Sequence, residues 1–64
     1  MQINGKNIYL EKPMSISDLL VQEGYSIDRV AVEKNKNIVP RGNYTTEIVT
    51  DDDVLEIVHF VGGG

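Results

Sequence analysis

Asp51-Asp52-Asp53-Val54-Leu55-Glu56-Ile57-Val58-His59-Phe60-Val61-Gly62-Gly63-Gly64 is the stretch on which the reading of this chain turns. From Val54 to Val61 it is the longest strand-like run in the sequence, rich in β-branched residues and preceded by an acidic turn. Alternation sends Leu55, Ile57, His59 and Val61 to one face and Val54, Glu56, Val58 and Phe60 to the other. Leu55 and Ile57 are expected in the core. Val58 and Phe60 are then candidates for an exposed apolar patch, a kind of surface that often meets another protein. The three closing glycines pack nothing and cost the most backbone entropy to order. Residues 62–64 are therefore expected to form a thin, flexible tail with a free α-carboxylate, able to thread a narrow slot. Taken alone, the tail has a plainer reading as a frayed terminus.

The rest of the chain supplies the frame for that strand. Gln2 to Asn4, the Asn4-Gly5 pair and Asn7 to Leu10 spell a hairpin, ended by Pro13, which lacks a ladder donor. Ser15 stands where a helix N-cap belongs, with Asp18 three residues on. Ile16, Leu19 and Leu20 fall on one helical face, and Gly24 closes the helix as its C′ residue. So short a helix must be held by packing. Arg29 to Glu33 predicts a strand, Lys34-Asn35-Lys36 a polar turn, and Asn37 to Val39 a short strand stopped by Pro40. Gly42 to Thr46 reads as loop with room for a helical turn around Tyr44, and Ile48-Val49 as a further short apolar stretch. This order predicts a single α+β domain over residues 1–61, with one main helix on one face of a mixed sheet of four to five strands. With the first and last strands central and adjacent, the arrangement is a β-grasp.

Composition narrows the chemistry. A chain of 64 residues makes one small domain, burying only about 60% of the surface its unfolded form exposes. It has no cysteine, which excludes disulfides, thiolate metal sites and a cysteine nucleophile. No apolar run approaches the roughly 20 residues of a membrane span, and no signal-peptide pattern opens the chain. A cytoplasmic protein without membrane contacts is expected. The net charge is −4, from ten acidic and six basic residues. Nucleic-acid phosphates repel such a chain, so a basic or apolar protein surface is the expected partner. His59 is the only histidine and has no orienting or co-ligating motif, so it reads as a strand residue near the partner surface. Asp51-Asp52-Asp53 lacks the alternating spacing of a calcium loop and reads as a solvated turn. The glycines are followed by no helix and cannot form a phosphate cradle. Ser15 and Ser17 have capping roles, and no carboxylates are paired at acid/base spacing. No active site, metal site or cofactor of the chain's own is expected.

Ile3-Asn4-Gly5-Lys6, Ser15-Ile16-Ser17-Asp18-Leu19-Leu20, Val30-Ala31-Val32-Glu33-Lys34-Asn35, Ile38-Val39-Pro40-Arg41 and the run from Asp53 to Gly64 carry a resemblance. Together they resemble the ThiS-type sulfur carriers of thiamine biosynthesis, which are small ubiquitin-like β-grasp proteins, and the likeness covers essentially the whole chain. It implies a protein that is not an enzyme, free as a monomer, and acted on by others. An E1-like activating enzyme of the ThiF type, using ATP and Mg²⁺, would adenylate the Gly64 carboxylate. Sulfur relayed through a persulfide would displace AMP and leave a thiocarboxylate, from which a ThiG-type thiazole synthase takes the sulfur. Gly63 would let the backbone pass a narrow channel, and Gly62 either adds reach or ends the strand. The expected docking face is Val58, Phe60 and Val61, with Glu56 meeting a basic partner. The alternatives are the same carrier chemistry in another pathway, such as that of molybdopterin, or a ubiquitin-like modifier or binding module.

Overall fold

The computed structural model describes residues 1–60. Strand β1 (Gln2–Ile3) turns at Asn4-Gly5 into β2 (Lys6–Asn7). Both turn residues have positive φ, 53° and 82°, as a two-residue turn matched to strand twist requires. β3 (Met14–Ser15) leads straight into helix α1 (Ile16–Gln22), and a short 3₁₀ turn, Ile27–Arg29, precedes β4 (Val30–Lys34). Asn35 and Lys36, again both at positive φ, turn the chain into β5 (Asn37–Ile38). A second 3₁₀ turn, Arg41–Asn43, is followed by β6 (Ile48–Val49) and β7 (Val54–His59).

The five-stranded sheet has the order β2-β1-β7-β4-β5. β7 lies in its middle, parallel to β1 and antiparallel to β4, while β3 and β6 form a separate antiparallel pair. The first and last strands are thus adjacent, and the fold is the expected α+β β-grasp.

Helix α1 is seven residues long, below the length at which a helix stands alone in water. The Ser15 side chain caps it by accepting the Asp18 N–H at 3.1 Å. At its other end Gly24 adopts φ 82°. Its N–H bonds the Val21 carbonyl at 3.2 Å and the Tyr25 N–H bonds that of Leu20 at 2.8 Å, a Schellman ending. Ile16, Leu19 and Leu20 are wholly buried in one cluster with Val30, Val32, Leu55 and Ile57. Each such burial contributes about 1.5–3 kcal/mol, and this contact with the sheet holds the helix.

Local details correct or extend the sequence expectations. β2 stops at Asn7, because Leu10 leaves the sheet edge for the core, its N–H held by the Asp51 carboxylate at 2.8 Å. Met14, unassigned in the sequence, and the N-cap Ser15 form a strand that pairs with Ile48–Val49. β7 ends at His59 rather than Val61; Val61 itself, the tail 62–64 and the domain boundary between them lie outside the described residues. Finally, the expected loop from Gly42 to Thr46 contains a core residue: Tyr44 is buried, and its hydroxyl accepts the Val32 N–H at 3.2 Å. β5 is too short to cover this edge of β4. A buried donor left unpaired there would be costly, and the tyrosine supplies the missing acceptor.

Candidate functional site: the outer face and exit of the last strand

β7 is fixed from both sides by asparagines that also make turns. The Asn4 carboxamide accepts the Ile57 N–H at 2.8 Å and donates to the Ile57 carbonyl at 3.0 Å. It thereby extends the β1–β7 ladder past the point where β1 turns away. Asn35 accepts the Val54 N–H at 3.0 Å through Oδ1 and donates to Asp53 at 2.9 Å through Nδ2. Between these anchors the predicted alternation holds: Leu55 and Ile57 are buried, and Val54, Glu56 and Val58 face outward.

Register decides what surrounds them, since cross-strand partners share a face. Glu56 lies opposite Glu33, which lies opposite Ile38, and Val58 lies opposite Ala31. The outer face therefore carries a row of Ile38, Glu33 and Glu56 beside a row of Ala31 and Val58. Ile38 is 77% exposed, Val58 60% and Phe60 44%. Two like charges directly opposite one another are unfavourable. Among the described residues no lysine or arginine lies within ion-pair distance of either glutamate. An acidic pair ringed by exposed apolar side chains is complementary to a surface that brings a cation among apolar groups.

Glu56 and Val58 share the outer face of β7 and Phe60 follows its end, whereas Val61, Gly62, Gly63 and Gly64 lie outside the described residues. Phe60 is neither a simple core residue nor a simple patch residue. Its N–H bonds the Arg29 carbonyl at 3.1 Å, the Arg41 guanidinium lies 5.7 Å from its ring centroid, and close to half of it stays open to solvent. Glu33, Ile38 and Arg41 are additions that residue-by-residue reading missed, because pairing register and through-space stacking have no local sequence signal.

The remaining titratable residues build structure. His59 is exposed at the end of β7, its ring 5.4 Å from that of Tyr25. The Asp51 carboxylate accepts the Leu10 N–H and meets the Met1 ammonium at 2.9 Å, and these hold its pKa below the ordinary aspartate value. For Asp53, partial burial acts upward, but hydrogen bonds from Asn35 and the Thr50 N–H, with the Lys34 charge, outweigh it and the pKa again falls. The acidic turn is therefore a staple as well as a solvated loop. Among the described residues no cluster of His, Cys, Asp or Glu could hold a metal ion, and no helix is long and apolar enough to cross a membrane. Among the described residues, two surface clefts are lined by neither Val58 nor Phe60, although Ile38 borders one of them.

Comparison with known proteins gives a family and the same fold. The model of the ThiS family matches residues 1–64. The sulfur carrier protein ThiS of Bacillus subtilis is 43% identical over 65 aligned residues, covering 100% of this chain and 98% of that protein. A protein named thiazole synthase from Magnetococcus marinus is 39% identical over 64 residues, and another so named from Paramagnetospirillum magneticum is 44% identical over 62. The chain spans only 20% and 19% of the length of these two. The crystal structure of the thiamine biosynthesis protein ThiS from Geobacter metallireducens superposes with a TM-score of 0.84 at 27% identity, over 98% of this chain and 96% of that one.

Proposed function

The chain belongs to the ThiS family, and from that membership we propose that it is a sulfur carrier in thiamine biosynthesis, with the Gly64 carboxylate as the reacting group. A carboxylate is a poor electrophile. Adenylation by a ThiF-type enzyme, with ATP and Mg²⁺, makes AMP the leaving group, and a sulfur nucleophile then displaces it to leave a thiocarboxylate. The carrier is the substrate of that reaction and not its catalyst. It contributes a docking surface, a tail without side chains and the carboxylate itself. The observation that carries this reading is the full-length likeness to the Bacillus subtilis carrier.

A ThiG-type thiazole synthase is the second partner of the proposal. Two relatives named thiazole synthase contain a segment like this chain as about a fifth of their length. A unit joined to a synthase in some proteins and separate in others is expected to meet that synthase when separate. Val58, Phe60, Val61 and Glu56 form the docking face, extended by Glu33 and Ile38. Gly63 and Gly62 give the backbone passage into the partner's site.

Intact mass spectrometry tests the reading. After incubation with an active ThiF-type enzyme, ATP and a sulfur donor, the chain should gain the mass difference between sulfur and oxygen, located at Gly64. Removal of Gly64 should abolish the gain while the circular dichroism spectrum is unchanged. An unmodified wild-type chain beside an enzyme that activates its own cognate carrier refutes the proposal.

A further inference from the structure

Arg41 is distant in sequence from β7, yet its guanidinium gathers several elements around that strand's exit. It donates to the carbonyl oxygens of Ile27 and Val30, the latter at 3.0 Å. The same group lies 5.6 Å from the Tyr44 ring centroid and 5.7 Å from that of Phe60. Capping two carbonyls beside the short β5 would require only a donor. Lying over two rings at once requires the flat, delocalised guanidinium, which can stack and fork together. Tyr44 is buried and fixed through its hydroxyl, so the arginine extends that fixed position to the half-exposed Phe60.

This matters because β7 is weakly held at its end. β1 stops at Ile3, and the Asn4 carboxamide bonds Ile57. Beyond Ile57, among the described residues, pairing continues only on the β4 side, to His59 and through the Phe60 N–H. Four residues follow Phe60 in the sequence, and extended they span at most about 13–14 Å. If Phe60 detached, one more residue would need ordering at each insertion of the tail. Ordering one residue's backbone changes an equilibrium by a factor of about 5 to 30.

We propose that Arg41 is a positioning residue. It fixes Phe60, the last described residue, and so sets how efficiently the terminal carboxylate reaches the activating enzyme's site. The functional half rests on the sulfur-carrier reading above.

The test has two arms. Amide hydrogen exchange on the free protein needs no partner. In Arg41→Ala the Phe60 amide should exchange at least several-fold faster, while the Ile57 amide, bonded to Asn4, keeps its protection. In single-turnover and steady-state thiocarboxylation, Arg41→Ala should lower kcat about tenfold, the loss from ordering one further residue, with far less change in KM, because the docking face is intact. Arg41→Lys keeps the charge but loses the fork and the plane, and should recover little. Should Arg41→Ala fail to fold, Arg41→Lys carries both comparisons. Unchanged exchange at Phe60, full rescue by lysine, or a raised KM at unchanged kcat each overturns the proposal; the last would make Arg41 a partner contact. A wild-type chain left unmodified by an active enzyme overturns the carrier reading and the functional half with it. The exchange arm then still reports whether the anchor exists.

Discussion

Asn4 makes a turn and a strand contact at once, and two substitutions separate these roles. Its φ of 53° lies in the left-handed region, which costs an ordinary side chain about 1–2 kcal/mol. Its carboxamide makes two hydrogen bonds to Ile57, at 2.8 and 3.0 Å, each worth about 0.5–1.5 kcal/mol net. Asn4→Gly loses the bonds and keeps the conformation, for a cost of about 1–3 kcal/mol. Asn4→Ala loses both, for about 2–5 kcal/mol. A chain of 64 residues has a total stability of about 3–10 kcal/mol, so the alanine variant sits near the margin. At about 4–8 °C per kcal/mol for a domain of this size, Asn4→Gly should lower Tm by roughly 10 °C and Asn4→Ala by several degrees more. Thermal and urea unfolding followed by circular dichroism would measure this, with the Ile57 amide exchange rate as the local reporter. Alanine is ordinarily the more stable choice over glycine in a regular element. An alanine variant as stable as the glycine variant, or an Ile57 amide unmoved by either, would refute the dual role.

Two further outcomes follow from electrostatics. Asp51 and Asp53 have folded pKa values below the ordinary one, so the folded state binds their protons more weakly than the unfolded state. Their contribution is complete above the unfolded value of about 3.9 and is lost as pH falls through the folded values; Tm should hold down to about pH 5 and drop below about pH 4. Asp53→Asn should flatten that acid limb, and parallel curves for variant and wild type would count against the assignment. Glu56→Gln relieves the like-charge pair with Glu33 and should raise stability by about 0.2–1 kcal/mol while weakening binding to a basic partner. A destabilised variant would mean that the glutamate is already satisfied within the domain.

Features written in neighbouring residues were legible. Ser15 and Gly24 mark both ends of the helix, Ile16, Leu19 and Leu20 mark its buried face, Asn4-Gly5 marks a turn, and the alternation of Leu55 and Ile57 against Val58 predicts which side chains stay outside. What depended on distance in space was not. Tyr44 sits among polar residues with no period to mark it, and its burial follows from an edge of β4 twelve positions away. Glu33 opposes Glu56 only once the Asn35-Lys36 turn and the β4–β7 pairing set the register. Arg41 was visible only inside a segment resembling a family, and its contacts with Tyr44 and Phe60 exist only in the folded chain. The role proposed for Gly64 likewise rests on resemblance, because glycine has no side chain to signal chemistry.

On the proposed reading, a carrier that delivers its terminus into another protein's slot must not be peeled open from that same end. Placing the last strand at the sheet's edge would leave it bonded on one side throughout. Here β7 is central, with β1 and the Asn4 carboxamide on one flank and β4 on the other. Peeling past Ile57 would break pairing on both flanks and expose a core side chain that is 4% accessible. Peeling only Phe60 and His59 breaks pairing on one flank and exposes residues already open to solvent. The sheet alone therefore sets the boundary of pairing on both flanks at Ile57, three residues short of Phe60. Arg41, by gripping the Phe60 ring, moves that boundary outward without lengthening the strand, and leaves the outer half of the ring free to meet a partner. The Phe60 ring then serves docking as well as direction, whereas Arg41 serves direction alone, which is why Arg41→Ala should lower kcat and leave KM nearly unchanged.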